Sequence, residues 1–298
     1  MADTKKVTIV THSSGFHTDD IFAVATLLIV LGENTNVEVI RSREKEVHAI
    51  ADYLVDTGNE YDPDKNHFDH HQTGGAGLRD NGIPYASFGL VWKKFGERLS
   101  GSTKAFEKID QILVQPIDAG DNGIKFSETR IPNLHPFDIG TLTFIFAPTW
   151  KEDVNIDEVF LKLVSYAKVI ISRLIISTRD DVEAEQLVVD CYNLSLNKEL
   201  IEVNEGYPWE EVLSKYPEPL FVIYKNYQGN WSIKSIRNDM FSYEPRKKLP
   251  QAWGGKKDEE LEKVTGVKDS VFCHNARFMA VAKTKEAILK MAEIALKD

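Results

Sequence analysis

Cysteine is scarce: Cys191 and Cys273 are the only two in 298 residues. Two thiols cannot build a disulfide framework or a four-thiolate zinc site, so both are expected to be reduced and partly buried. No long apolar run is present. The longest, Ile21 to Leu31, falls short of the about 20 residues a membrane-spanning helix needs. The opening residues, Met1 to Lys6, are polar and carry neither a secretory apolar segment nor Arg/Ser-rich transit character, so a cytoplasmic, membrane-free location is the expectation. There is no basic excess either: 36 Lys and Arg against 46 Asp and Glu leave a net charge of −10. That balance argues against a broad nucleic-acid-coating surface, while permitting a narrow basic track beside a metal site. Bound divalent cations would offset several of the carboxylates. The glycine-rich tract Thr73 to Gly77 lacks the Lys-Ser/Thr of a phosphate-binding loop and reads as a mobile loop. Its place just after His71 suits a lid. There is no His-Glu-x-x-His helix of a peptidase, no internal repeat and no low-complexity tract.

What is present describes a folded α/β chain. With 42% hydrophobic residues, 15 Phe, 10 Tyr and 5 Trp, sizeable cores can form, and the length suits two domains. Val7 to Thr11 is a β-branched run of the buried parallel type. Thr18 is the expected N-cap of a helix with acidic Asp19 and Asp20 in its first turn, apolar nearly all round from Ile21 to Leu31 and ended by Gly32. Val37 to Ile40 and Tyr53 to Val55 are strands, with a helical Glu44 to Ala51 between them. Strands alternating with helices predict a mainly parallel sheet flanked by helices. Phe88 to Phe95, Lys104 to Leu113 and a long Ile156 to Ser177, continuing toward Val189, read as helices. After about residue 195 the pattern changes: Phe221 to Tyr224 and Trp231 to Ile236 form a hairpin across Gln228-Gly229-Asn230, and Glu259 to Val264 and Glu286 to Leu296 are helical. The expected division is 1–195 and a smaller α+β domain 196–298.

Most of the eight histidines fall in the first 71 residues, among acidic partners. His12-Ser-Ser-Gly-Phe-His17-Thr-Asp19-Asp20 lies between a strand and a helix, and Asp56 directly follows another strand. In a parallel sheet both belong at the carboxyl edge, where ligands bind. His67-Phe-Asp69-His70-His71 and Asp118-Ala-Gly-Asp121-Asn-Gly complete the set. Imidazoles and carboxylates without thiolates suit Mn²⁺, Zn²⁺, Fe²⁺ or Co²⁺, and form a more nitrogen-rich set than Mg²⁺ or Ca²⁺ prefers. The donors exceed the needs of one tetrahedral ion, which points to two metals sharing a bridging carboxylate, about 3.5–4 Å apart, as in phosphoryl-transfer sites.

Asp69-His70-His71 resembles the signature of the DHH phosphoesterase superfamily, which includes RecJ-type nucleases and manganese pyrophosphatases. The fuller pattern comprises Thr11 to Asp20, Val55 to Pro63, Phe68 to Gln72, Tyr85 to Gly96, Ile117 to Ile124 and Leu249 to Gly254. It is similar to that of the melanocyte proliferating gene (Myg) exonuclease family, formerly labelled metal-dependent protein hydrolases, from about residue 7 to the C-terminus. The resemblance implies a DHH-type N-terminal domain. It also implies two divalent ions, Mn²⁺ foremost, one on His12, His17 and Asp56 and one on Asp19, Asp56, His70 and Asp121, with Asp56 bridging. His17 stands where most of the superfamily carries aspartate, a feature of the Myg branch. The catalytic set would then be Asp56, His71 facing a phosphate or backing the ligands, and Asp69 orienting the histidine pair. Asp118 competes with Asp121, and Asp121 is preferred because Asp-Asn-Gly is a tight turn that presents a carboxylate.

In the second domain Arg246, next to Lys247 and Lys248, is the expected phosphate clamp, with His274 as a second phosphate ligand in the cleft between domains. Arg277, Met279 and Ala280 depart from the small residues and glycine turn of the family after that histidine. A Cys273–His274 nucleophilic pair is disfavoured, because neighbours in a strand point to opposite faces. The expected function is exonucleolytic hydrolysis of single-stranded RNA or DNA, 3′ to 5′ as the resemblance implies. The alternatives are a phosphoesterase of pyrophosphate or short oligonucleotides and a non-catalytic, metal-stabilised RNA-binding protein. A dimer is one expected assembly.

Overall fold

The computed structural model describes residues 6–125, 131–134, 136–204, 206–238 and 244–298. The chain divides into two units, Met1–Arg179 and Asp180–Asp298. That division falls inside a long helix, whereas the sequence places the boundary where the helix ends.

In the first unit β1 (Val7–Thr11) leads into α1 (Thr18–Leu31), then β2 (Val37–Arg41), a single turn α2 (Lys45–His48) and β3 (Tyr53–Val55). Two short strands follow, β4 (Tyr61–Asp62) and β5 (His67–Phe68). They order as β2-β1-β3-β5-β4. β1 pairs parallel with β2 and β3, and β3 with β5, so only the edge pair β4/β5 is antiparallel. The sheet is thus mainly parallel, and three of its neighbouring strands deliver their carboxyl ends side by side. Helices α3 (Ser87–Ser100), α4 (Thr103–Ile109), α5 (Gln115–Asp121) and α6 (Ile139–Ile145) follow, with a π-helical turn, Asp110–Val114, joining α4 to α5. α1 is buried from Asp19 through Leu27, which its near-uniform apolarity requires. The core gathers Ile9, Phe22, Phe68, Phe88, Trp92 and Phe160. α7 (Ile156–Leu194) is one unbroken helix, as its apolar spacing predicts, and Phe160, Leu163, Ala167 and Ile171 face the first unit's core.

The second unit carries β6 (Leu200–Glu202), α8 (Trp209–Leu213), β7 (Phe221–Lys225), β8 (Trp231–Ser235), α9 (Asp258–Thr265), β9 (Ser270–Cys273), β10 (Met279–Ala282) and α10 (Lys285–Lys297). The sheet runs β6-β7-β8-β10-β9, antiparallel except for β6/β7. Alternation along β7 separates two cores. Phe221 and Ile223 join Trp253, Ile288 and Met291, while Val222 joins Ile201, Trp209 and Leu213. No helix among the described residues is long and apolar enough to cross a membrane.

Candidate metal centre

The parallel pairing of β1, β3 and β5 decides the site. His12 follows β1, Asp56 follows β3, and Asp69 and His70 follow β5, so one sheet edge presents all four. Asp19 enters from the first turn of α1, and Asp121 is the last residue of α5. Asp121 therefore sits on a helix end, with the turn beginning at Asn122, because the π-helical turn lets the helix run past the expected stop at Leu113. Asp56 adopts φ +54°, a left-handed conformation uncommon for a non-glycine residue but one that aspartate enters more readily than most.

The side chains converge. His12 Nε2 lies 2.9 Å from Asp20 Oδ2 and 3.3 Å from Asp56 Oδ2. His70 Nε2 lies 3.3 Å from Asp56 Oδ1 and 3.1 Å from Asp121 Oδ2. His17 Nδ1 stands 3.8 Å from Asp121 Oδ1. Three groups present donor atoms within 4.8 Å of one another: His12, His17 and Asp56; Asp56, His70 and His71; and His17, Asp19 and Asp121. Asp56 belongs to two of them. His71 Nδ1 is 2.8 Å from Asp69 Oδ1, and the other oxygen of Asp69 accepts from the Asn59 N–H. Asp69 thus sets the ring of His71, which is half exposed.

A cation fits this arrangement. His12 Nε2, Asp19 Oδ1, Asp20 Oδ2 and His70 Nε2 are buried yet complete no hydrogen bond. Buried polar atoms are almost always paired, so an orphaned group of donors in one place is what an ion would satisfy. The electrostatics agree. Burial pushes Asp19 well above the usual carboxyl range, and Asp56, Asp121 and Asp20 add to the shift. Burial raises Asp20 as well, against the pull of His12. Asp56 goes the other way: burial would raise it, but His12 and His70 hold it low. Burial would depress the two imidazoles, but Asp20 and Asp56 drive His12 up to about 10, and Asp121 and Asp56 drive His70 up to about 10. The carboxylates that raise these rings would equally attract a cation.

Some of the residues that shape the centre were not legible as such. Ser87, at the start of α3, donates its Oγ hydrogen to Asp56 Oδ1 at 2.9 Å and its N–H to Asp19 Oδ2 at 3.3 Å. Its signal was a small hydroxyl residue opening a predicted helix. Asp20 reaches back to accept from the His17 N–H, so His17 rather than Thr18 takes the cap position. Asp118 lies outside the three groups: it is buried on Arg79, 2.7 Å from Nη1, and accepts from the Gly89 N–H. Any β-carbon at Gly89 would overlap Asp118 Oδ2, which makes glycine obligatory there.

The second unit treats its expected site residues differently. Arg246 donates from Nη1 to the carbonyls of Tyr216 and Pro219, from Nη2 to that of Ser214 and from Nε to Asn238 Oδ1. In place of an open phosphate clamp, its guanidinium is a staple between loops. His274 Nδ1 accepts from the Ala276 N–H, and its ring lies 4.4 Å from that of Phe278. Arg277 closes this turn at φ +61°, in the left-handed region that glycine enters without strain. The Cys273 thiol is buried, and its contact is with the His274 carbonyl. Burial raises it to about 11.

Comparison with known proteins places these motifs in context. The profile of the MYG1 exonuclease family, described as an uncharacterised protein family (UPF0160), matches residues 8–296. The MYG1 exonuclease of Rattus norvegicus is 29% identical over 96% of this chain and 84% of its own. That of Homo sapiens is 29% identical over 96% of this chain and 85% of its own. A MYG1 protein of Saccharomyces cerevisiae is 28% identical over 97% of this chain and 95% of its own.

Proposed function

Because the chain belongs to the MYG1 exonuclease family, we propose that it is a hydrolytic nuclease that cleaves phosphodiesters of single-stranded nucleic acid at the edge of the β1/β3/β5 sheet. The observation that carries this reading is the convergence of His12, His17, Asp19, Asp56, His70 and Asp121 on one place, where several buried nitrogen and oxygen atoms complete no hydrogen bond. His12, His17 and Asp56 would hold one divalent cation, and Asp19, Asp56, His70 and Asp121 a second. Mn²⁺ is the foremost choice, with Zn²⁺, Fe²⁺, Co²⁺ or Mg²⁺ as alternatives. Bound there, two such ions supply Lewis acidity and a hydroxide near neutral pH.

The chain's own residues do the rest. Asp56, with Ser87 fixing one oxygen, presents both carboxylate oxygens to the centre, toward His12 on one side and His70 on the other. Asp69 ties down Nδ1 of His71 and leaves the far side of that ring to meet a phosphate oxygen or the departing hydroxyl. The half-exposed rings of His17 and His71 mark the substrate's approach. Removal of nucleotides from the 3′ end is part of the proposal. The net charge of −10 favours a second reading, in which pyrophosphate or short oligonucleotides are preferred over long strands.

The test is elemental analysis of the purified protein, followed by digestion of end-labelled single strands of graded length with added Mn²⁺. The proposal requires bound or bindable transition metal and stepwise shortening that Asp56→Asn abolishes. Inactivity of the wild type on every length with each candidate metal overturns it.

A further inference from the structure

Beside the metal centre lies a pocket of about 630 Å³ that the proposed chemistry does not use. His17 and Asp121 belong to both, so whatever fills the pocket lies directly beside the candidate metal centre. Phe16 forms part of its lining, Ile112 and Pro116 come from the π-helical turn and α5, and Ile139 and Phe144 from α6. Phe144 is 80% exposed and Ile112 62%, a large apolar rim that needs a reason.

The pocket's chemistry selects its occupant. Among the described residues lining it there is no lysine or arginine, and two are aspartates, Asp121 and Asp138. A second phosphate is therefore repelled. The other polar side chains of α6 and its cap are already engaged: Thr143 donates to the Ile139 carbonyl, and Asp138 accepts from the Thr141 N–H. Few groups remain to read the edge of a base. The volume lies within the about 300–1,000 Å³ of small-molecule sites. A flat, uncharged, aromatic group tethered to a phosphate meets all of these conditions.

Resting on the nuclease reading above, we propose that this pocket receives the nucleoside of the terminal nucleotide, with Phe144 and Phe16 as contacts for its base. Such a site grips any base by its face and shape and does not discriminate between sequences. It also gives the cleaved unit a place distinct from the rest of the strand.

The test compares AMP, UMP and ribose 5-phosphate by calorimetry in the presence of Mn²⁺, for the wild type and Phe144→Ala. Both nucleotides should bind the wild type about tenfold tighter than ribose 5-phosphate, the scale of one stacked base. Phe144→Ala should remove most of that preference and leave ribose 5-phosphate binding unchanged. In cleavage assays, an oligonucleotide whose terminal unit is abasic should show a KM raised about tenfold in the wild type. The same substrate should show no further rise in the variant. A wild type that cleaves oligonucleotides yet binds all three ligands equally overturns the pocket assignment alone. A wild type that neither cleaves nor binds nucleotides overturns the nuclease reading, and this inference with it. If Phe144→Ala converts a dimer to a monomer while the base preference persists, the aromatic rim is an interface between copies and the assignment is also overturned.

Discussion

The two units bury polarity in opposite ways. Among the described residues, the first unit buries His12, Asp19, Asp20, Asp56, Asp69 and Asp118, whereas the second buries serines and threonines only: Ser232, Ser235, Thr265 and Ser270. Three of those four have ordinary partners. Thr265 Oγ donates to the Leu261 carbonyl, Ser270 Oγ to that of Val267, and Ser232 Oγ accepts from Asn226 Nδ2. In the first unit the buried carboxylates crowd one another, and several polar atoms among them complete no hydrogen bond. An interior charge is costly unless it is compensated, so a fold that gathers several of them is built around something it binds. Asp118, in the same unit, is buried against a guanidinium instead of an imidazole, with Arg79 Nη1 2.7 Å away.

The comparison is broken most sharply at Asp56. Asp56→Asn keeps the shape and tolerates the positive φ, but removes the charge shared by His12 and His70. It should lower the rate by about 10³-fold, the loss of several kcal/mol of transition-state stabilisation, with metal content falling in elemental analysis and circular dichroism unchanged. Ser87→Ala deletes the hydroxyl that orients Asp56 and should weaken Mn²⁺ binding by about 10- to 100-fold in calorimetric titration. Arg246→Ala tests the other unit. Freeing the carbonyls of Ser214, Tyr216 and Pro219 should cost about 2 kcal/mol in denaturant unfolding, with little change in KM. A large KM rise at full stability would return Arg246 to the phosphate role that the sequence suggests. A further effect is on pH. His12 and His70 are raised to about 10, so at neutral pH both hold protons in the metal-free protein. Metal must displace them, so affinity rises as pH climbs toward 10, by about tenfold per unit for each proton released. Titration of Mn²⁺ in buffers of different ionisation enthalpy counts those protons, and a pH-independent affinity would contradict the raised values.

Much of the first unit was legible because local pattern and tertiary role coincide there. Val7 to Thr11 and Tyr53 to Val55 are strands, and Ile156 onward is one helix, because their apolar periods match those elements. The short pair β4 and β5 leaves no mark in the sequence, since strands of two residues carry no period. Likewise, α5 was hidden behind Pro116 and Gly120, which punctuate a sequence without stopping a helix already packed on its neighbours. The fate of Arg246 was invisible for a different reason: the carbonyls that claim it lie some thirty positions away.

The order of residues alone determined which chemical groups this protein carries and which strand or helix end bears most of them. A histidine after one β-branched run, an aspartate after the next and Asp69-His70-His71 further on are facts of succession. Tertiary structure decided which of those groups meet. Parallel pairing of β1, β3 and β5 brought His12, Asp56 and His70 to a common edge, the π-helical turn carried α5 far enough to bring Asp121 beside them, and Arg79 drew Asp118 away. Contacts between residues far apart in the chain depend on packing, which no local pattern encodes.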